Sequence, residues 1–302
     1  MSDKWSSPVG HRTVTDAAIS TFGWLTGDYS RMHYDHHFAG SLPGGKPIAH
    51  GLLSASWALG MLRLHGPFAF SDDPGRQLQR FEASFRQVVF VGDTLALRYQ
   101  HSDDAGLHFE LLNQRGESVT TGSVVDGTRA SAEPLPVLFE AQPQPVPVST
   151  RVYYAEDMQS AALGAIPVRT LTETDVVNFA SFTGDLDPLY LNREYAAMAP
   201  AGQRIVPPML VFNLSFAAWL RALMRFPMPD DGSAGHLADR WQVHQPLFIG
   251  DTLEVRYQVN SHRESRSRPG QAIVTFGLQM LNQRQQLVQS GEVLFLMPTR
   301  PA

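Results

Sequence analysis

The sequence predicts an α+β fold in which one unit, an antiparallel sheet wrapped around a long buried helix, occurs twice in tandem. Three features predict it: an internal repeat, one apolar segment of helical length in each copy, and alternating segments after each of those helices. The chain has 302 residues, about the length of two domains, and 43% of them are hydrophobic. Each domain therefore has enough apolar material to form a core.

The repeat consists of short segments that match in the same order at an offset of 157 or 158 residues, widening to 169 for the last pair. The wider offset indicates about eleven extra residues in the second copy, which we place in the polar hairpin 260–270. The two domains are therefore copies of one unit. The matching pairs are GDTLALRYQ (92–100) with GDTLEVRYQ (250–258), TGD (26–28) with TGD (183–185), and LNQR (112–115) with LNQR (281–284).

A proline-rich segment separates the two copies. Residues 131–150 contain five prolines, and proline both lacks an amide donor and fixes φ, so an extended linker is expected. The predicted domains are an N-terminal unit at 1–130 and a C-terminal unit at 151–302.

Each copy is predicted to begin with a short helix. Thr15 and Thr172 offer N-cap hydroxyls ahead of apolar residues at helical spacing. After a Gly-Asp loop comes a longer helix, over 48–64 in the first copy and 209–224 in the second. These segments are apolar on nearly every side, which indicates a helix buried all round.

The remainder of the first copy alternates between apolar and polar residues, with glycine-containing turns between the alternating runs. This pattern is typical of an antiparallel meander. Because a single copy would leave sheet edges exposed, we expect the two sheets to pair. The predicted strands are 79–91, 94–101, 107–113 and 118–125.

Composition excludes several classes of function. The net charge is −5 without a basic run, which argues against nucleic-acid partners and anionic membranes. The absence of cysteine excludes disulfides, thiolate metal sites and a cysteine nucleophile. No signal peptide is visible, and polar or ionisable residues interrupt both apolar helices. A cytoplasmic protein without a membrane partner is therefore expected.

The densest group of functional side chains lies at 27–37, GDYSRMHYDHH, and His50-Gly51 follows at the start of the long helix. Asp28 and His33 can converge on one water molecule, and an imidazole titrates near neutrality. The Gly51 amide offers an unpaired donor at the positive end of a helix, where it can stabilise an enolate oxygen. These groups predict the addition or removal of water beside a thioester carbonyl.

Gly27, Asp28 and His33, together with the later Ala49-His50-Gly51-Leu52, resemble the signature of the MaoC-like, R-specific enoyl-CoA hydratase (hydratase 2) family. The resemblance covers both copies and implies a double hot-dog fold. It also implies reversible syn hydration of trans-2-enoyl thioesters to (R)-3-hydroxyacyl thioesters. No metal or other cofactor is implied, since coenzyme A or an acyl carrier protein would be part of the substrate.

The same resemblance implies roles for individual residues. Asp28 and His33 would be catalytic, and Gly51 would bind the thioester carbonyl. Ser30 and His50, which lie beside these residues in the sequence, are further candidates for oxyanion or substrate binding. The sequence departs from the family at Ser30-Arg31, where Asn-Pro is usual.

The second copy keeps the aspartate, as Asp185, but lacks the imidazole and the amide donor. Aligned on Gly184-Asp185, it has Tyr190 in place of His33 and Pro207-Pro208 in place of His50-Gly51. Tyrosine, with a pKa near ~10, is a poor proton carrier at neutral pH, and proline has no N–H. We therefore predict one active site per chain, in the first copy, with the second copy shaping the pocket.

Several alternatives stay open at this point. The two alternative functions are a hot-dog acyl-CoA thioesterase and a non-catalytic acyl-thioester binding subunit. Among hydratases, a short branched dicarboxylic substrate of the mesaconyl or methylmalyl type is compatible, as is a homodimer of double hot-dogs. Asp35-His36-His37 suggests a metal site, but adjacent histidines on a helix point apart, and none is predicted. Five arginines are candidates for coenzyme A phosphates or for solvated surface charges: Arg63, Arg86, Arg98, Arg221 and Arg225.

Overall fold

The computed structural model describes residues 4–67, 75–102, 106–128, 135–161, 163–229 and 235–301. Two copies of one arrangement follow each other along the chain. In the first copy the elements are β1 Val9–Thr13, α1 Asp16–Thr26, α2 Arg31–Tyr34, α3 His36–Ala39, α4 Gly51–His65, β2 Arg76–Phe85, β3 Thr94–His101, β4 Gly106–Leu112 and β5 Ser118–Thr128. In the second they are a 3₁₀ turn Ala155–Asp157, α5 Met158–Ala161, β6 Gly164–Thr170, α6 Glu173–Thr183, α7 Pro188–Leu191, α8 Arg193–Ala197, α9 Pro208–Leu223, β7 Gly235–Val243, β8 Thr252–Glu264, β9 Gln271–Asn282 and β10 Leu287–Pro298.

Over these residues the strands form one antiparallel sheet in the order β1-β3-β4-β5-β2-β7-β10-β9-β8-β6. The two copies join where β2 pairs with β7, with Phe81 opposite Trp241. This confirms the predicted α+β class and the predicted pairing of the two sheets, since each copy covers the edge of the other.

The two long helices form the centre of each copy. Every residue from Leu52 to Arg63 of α4 is buried, and so is all of α9 except Arg221. Ser56 and Asn213, at equivalent positions of the repeat, meet in a hydrogen bond of 3.0 Å between the helices. The predicted burial on every side is therefore confirmed, and the helices meet near the axis that relates the copies.

The short helices begin where predicted. The Thr15 hydroxyl accepts a hydrogen bond from the Ala18 N–H. At Thr172 the cap is reciprocal, because the Asp175 carboxylate also accepts a hydrogen bond from the Thr172 N–H.

Two boundaries in the first copy differ from prediction for a shared reason. The long helix begins at Gly51 rather than residue 48, and β2 ends at Phe85 rather than residue 91. The residues just before α4 pair with those that follow β2. Ile48 forms a bridge with Phe90, and the Ala49 N–H donates to the Val89 carbonyl. The chain ahead of the helix is thus tied to the chain behind the strand.

The extra residues of the second copy lengthen one hairpin, as predicted. Strand β8 has 13 residues where β3 has 8, and β9 has 12 where β4 has 7. Among the described residues, no helix is both long and apolar enough to span a membrane.

The predicted linker lies partly outside the described residues, at 131–134. Its described part, 135–150, contains no helix or strand. It packs against the second copy, where Phe139 donates its N–H to Gln279 and accepts a hydrogen bond from Arg256. The domain boundaries at 130 and 151 stay predictions.

Candidate active site

The loop that carries Asp28 is shaped by the end of α1. Gly27 has φ +83°, a left-handed conformation that glycine adopts without strain, and its N–H donates to the Gly23 carbonyl. The Thr26 hydroxyl donates to the Phe22 carbonyl of the same turn. The second copy repeats this geometry at 183–185, which explains why Thr-Gly-Asp occurs twice.

Asp28 is buried, with 6% of its surface exposed. Its Oδ1 accepts hydrogen bonds from the Ser30 N–H at 3.1 Å and from the Ser30 hydroxyl at 2.6 Å. Burial raises the pKa of the Asp28 carboxyl, but His50, His33 and the Ser30 hydrogen bonds outweigh it and hold the pKa below its ordinary value. Asp28 is therefore an ionised carboxylate, and the Ser30 hydroxyl is engaged with it.

His33 is held in one tautomer by a backbone contact. Its Nδ1 lies 2.8 Å from the Ile48 carbonyl oxygen. Because a carbonyl only accepts, Nδ1 carries the hydrogen and Nε2 keeps its lone pair. Burial lowers the pKa of His33 more than Asp28 raises it. At neutral pH the ring is thus a neutral base beside a carboxylate.

His50 lies beneath His33, with the ring centroids 3.7 Å apart. Its Nε2–H donates to the Asp28 backbone carbonyl at 3.1 Å. The ring is buried, and burial together with His33 lowers the pKa of His50 to about 3. In this structure, His50 contacts the backbone of Asp28 and the ring of His33, and so supports both catalytic candidates.

These three residues also satisfy a simple geometric test for a metal site. Asp28, His33 and His50 each place one ligand atom within 4.8 Å of the others. One nitrogen of each imidazole is bonded to a backbone carbonyl, which leaves Nε2 of His33 and Nδ1 of His50 as the other ring nitrogens. The prediction of a metal-free site stays a prediction.

Gly51 is the first residue of α4, so its N–H belongs to the unpaired first turn of the helix. A Cβ built on Gly51 would lie only 2.9 Å from the ring of Phe85. Glycine therefore allows β2 to approach the start of the helix closely. In the second copy the equivalent N1 position is Pro208, which has no N–H to offer.

The equivalent place in the second copy is occupied by an ion-pair cluster. Arg63 of the first copy is buried there and pairs with Asp185 at 3.3 Å, Asp187 at 3.1 Å and Asp126 at 2.6 Å. Burial raises the pKa of Asp185, and the other carboxylates add to the effect against the opposing charge of Arg63. Tyr190, at the position of His33, is fully buried. This arrangement has no base of the His33 kind.

The remaining candidates lie apart from this site. Asp35 caps α3 by accepting the Phe38 N–H and also pairs with Arg31, and the exposed His36 approaches Asp16. These contacts bring no metal cluster together.

Of the five arginines, Arg63 corrects both sequence-based interpretations, because it is neither solvated nor free to meet a phosphate. Arg98 is paired with Glu110, Arg86 contacts Thr121, and Arg225 contacts Gln144. Arg221 donates to the Gly27 carbonyl at 2.5 Å. At the offset of 157 residues that relates the two long helices, Arg63 corresponds to Leu220 and Arg221 to Leu64, so the repeat gives no signal for the buried position of Arg63.

Fold and site together define a tandem protein of two helix-and-sheet units, in which Asp28 and His33 of the first unit correspond to Asp185 and Tyr190 of the second. Both units match the family model of the MaoC like domain, at residues 6–123 and 158–277. The chain therefore belongs to the MaoC-like dehydratase family.

Individual relatives support this placement. The chain is 32% identical over 109 residues to 3-hydroxybutyryl-CoA dehydratase of Methylorubrum extorquens, an alignment that covers 36% of this chain and 65% of that protein. It is 33% identical over 116 residues to (R)-specific enoyl-CoA hydratase of Aeromonas caviae, covering 36% of this chain and 82% of that protein. A Mycobacterium tuberculosis structure described as a double hotdog fold has a TM-score of 0.71 at 14% identity, covering 97% of this chain and 96% of that one. The predicted double hot-dog fold is thereby confirmed.

Proposed function

We propose that the protein is a hydro-lyase that adds water reversibly, on one face, to trans-2-enoyl thioesters and forms (R)-3-hydroxyacyl thioesters. The observation that carries the proposal is the tautomer of His33. Its Nδ1–H is fixed by the Ile48 carbonyl, so Nε2 is left as a base in the site of the ionised Asp28. A carboxylate and a neutral imidazole together can hold and deprotonate one water molecule.

In the proposed reaction, water supplies both groups that are added, the hydroxyl at C3 and the hydrogen at C2. Its oxygen bonds to C3 while Nε2 of His33 takes one of its protons, and Asp28 accepts a hydrogen bond from the same water. The π electrons of the C2–C3 bond move towards the thioester oxygen, where the Gly51 N–H stabilises the negative charge. The proton then passes from the site to C2 on the same face, which restores the thioester.

The substrate brings its own carrier. We assign no resident cofactor, and coenzyme A or an acyl carrier protein would enter as part of the substrate. The named relatives support a thioester substrate, since one is a 3-hydroxybutyryl-CoA dehydratase and another an (R)-specific enoyl-CoA hydratase. The reaction can run in either direction because the same groups serve both.

The test is a panel of trans-2-enoyl-CoA esters of different length and branching, with the chirality of the 3-hydroxyacyl product measured. Consumption of the enoyl group with formation of the (R)-product is expected. Release of free thiol without loss of the enoyl group would instead identify a thioesterase. Binding without either change would identify a non-catalytic subunit, and both of these outcomes contradict the proposal.

A further inference from the structure

The second copy places a histidine–carboxylate pair at the junction between the two copies. His236, near the start of β7, has Nε2 2.8 Å from Oδ1 of Asp239. Asp239 is completely buried, and its Oδ2 has no hydrogen-bond partner among the described residues. Burial of an ionisable pair carries a desolvation penalty, and apolar residues of similar size would often stabilise the fold equally well. The pair therefore suggests a role other than packing.

The surroundings of His236 are aromatic and belong to both copies. Its ring lies 4.6 Å from Phe85, 4.9 Å from Phe216 and 5.0 Å from Phe295, measured between centroids. Phe85 is also the ring against which Gly51 packs. One phenyl ring therefore separates His236 from the proposed thioester-binding amide.

A second observation connects His236 with the acid–base site. Electrostatic interaction with His236 is the smallest of the causes that lower the pKa of His33, after burial. The imidazole of the second copy is thus close enough to the catalytic candidate of the first to affect it electrostatically.

The repeat shows that the fold itself does not require this pair. At the offset of 158 residues that relates the Gly-Asp turns, His236 corresponds to Leu78 and Asp239 to Phe81. Both of those residues are buried in the core. Leu78 lies opposite Asp126, which belongs to the Arg63 cluster in the second copy. The polar pair therefore occurs only beside the copy that retains Asp28 and His33.

Burial also determines the protons that the pair holds. Desolvation raises the pKa of Asp239 against the opposing effect of His236, and a buried net charge is unfavourable. The pair is neutral as a whole when it holds two protons, one between Nε2 and Oδ1 and one on Nδ1. In that state His236, whose side chain is 16% exposed, offers an Nδ1–H donor within an otherwise aromatic wall.

Building on the proposed hydration, we propose that His236 is a substrate-binding residue that donates its Nδ1–H to an oxygen atom on the acyl chain. The preferred substrates are then acyl thioesters that carry a carboxylate, carbonyl or hydroxyl group beyond C3, rather than plain alkyl chains. A site built around a buried polar donor disfavours a ligand that leaves the donor unpaired.

The test measures binding, by calorimetry, of three saturated ligands that cannot be hydrated: hexanoyl-CoA, 6-hydroxyhexanoyl-CoA and adipoyl-CoA. The wild-type protein is expected to bind at least one oxygenated ligand about tenfold more tightly than hexanoyl-CoA. The double variant His236→Leu with Asp239→Leu restores apolar residues as in the first copy. We expect it to lose that preference, because the oxygenated ligands lose their donor and hexanoyl-CoA, which no longer leaves a donor unpaired, binds more tightly than to the wild type. Which oxygenated ligand binds more tightly then separates a carboxylate from a neutral oxygen.

Three outcomes would overturn the inference: no preference in the wild type, a preference retained in the double variant, or equal weakening of all three ligands. Hydration of hex-2-enoyl-CoA by the wild type, measured separately, tests the proposed function. A protein that shows the binding preference but never hydrates an enoyl thioester would refute the proposed function and leave the role of His236 standing.

Discussion

Two neighbouring backbone carbonyls organise the chemistry of the imidazoles. The Ile48 carbonyl fixes the hydrogen of His33 on Nδ1, and the Asp28 carbonyl fixes the hydrogen of His50 on Nε2. The residues that accept these hydrogens precede α4 or follow α1, so the tautomers depend on how the two helices are joined. The catalytic candidates are therefore prepared by the fold before any substrate binds.

This preparation predicts the acid side of the pH profile. A base works in its neutral form, and burial lowers the pKa of His33 below its ordinary value of 6.5. The specificity constant kcat/KM is therefore expected to stay unchanged as the pH falls to 6.5 and to decline only below pH 6.5. Asp28, with a lowered pKa, stays ionised throughout this range. Steady-state kinetics of enoyl-CoA hydration from pH 8 to pH 5 would check this, and a decline centred above pH 6.5 would contradict it.

At the scale of single residues, the sequence identifies the candidate side chains but not the contacts that they make. The spacing of Asp28 and His33 predicts an acid–base pair, because Asp28 lies just before the short helix α2 that carries His33. The position of His50 beneath His33 depends on three-dimensional packing and has no signature in the spacing. The bonding of Ser30 to Asp28 is local, since the two residues are two apart, as in an Asx turn.

At the scale of elements, the start of α4 is the part of the site that the second copy has lost most completely. Gly51 and Pro208 occupy the same first position of the two long helices. Proline is well tolerated at this position, so the second helix keeps its stability without the donor. The difference between the copies is thus chemical rather than structural.

That difference can be transferred to the first copy. Gly51→Pro removes the donor and is expected to lower kcat by about 10²–10³-fold, the usual effect of losing one such N–H. Gly51→Ala is the matched control, because it also adds atoms against Phe85 but keeps the N–H. We expect kcat of the alanine variant to exceed that of the proline variant by at least about tenfold. Equal losses in both would mean that crowding by Phe85, and not the donor, is responsible.

The sequence predicts the elements well where their patterns are regular. Strand β3 lies at Thr94–His101 as predicted, since its alternation is uninterrupted. Strand β1 was missed because its pairing with β3 shifts register between Val9 and Arg12, and Gly10 has a positive φ. A strand with such an irregularity does not show a period of two.

At the scale of the whole molecule, each long helix reaches into the other copy. A Cβ on Gly60 of α4 would lie 2.0 Å from the Thr183 carbonyl, so only glycine allows this approach. It carries Arg63 to Asp185, just as α9 carries Arg221 to the Gly27 carbonyl. The two arginines are not equivalent positions of the repeat, since Arg63 corresponds to Leu220 and Arg221 to Leu64. One forms a buried ion pair and the other is an exposed donor.

The two arginines give a matched test of stability. Arg63→Met leaves buried carboxylates without their cation, and we expect the free energy of unfolding to fall by about 3–5 kcal/mol. Arg221→Met removes one exposed hydrogen bond and should cost less than about 1 kcal/mol. Denaturant unfolding of both variants measures the difference. Similar small losses would show that the Arg63 cluster adds little to the stability of the fold.

The tandem organisation was predictable because a repeat leaves matching segments in the sequence. The contacts between the copies were not predictable, since Arg63 and His236 each contact a residue of the other copy. A residue that crosses between repeats has no fixed spacing from the residues it meets. Only the fold, which brings α4 and β7 to the opposite site, shows these contacts.

The central claim is that one chain contains one active site, formed by Asp28 and His33 of the first copy. It is tested most directly by comparing the hydration of crotonyl-CoA by Asp28→Asn and by Asp185→Asn, with folding of both checked by circular dichroism. The equivalent Asp185 shares Arg63 with Asp126 and Asp187, so two carboxylates still face Arg63 when Asp185 is replaced by its amide. We expect Asp28→Asn to lose activity by at least about 10²–10⁴-fold, while Asp185→Asn keeps a rate close to that of the wild type. A well-folded Asp28→Asn variant with near-normal hydration, or a comparable loss in Asp185→Asn, would contradict it.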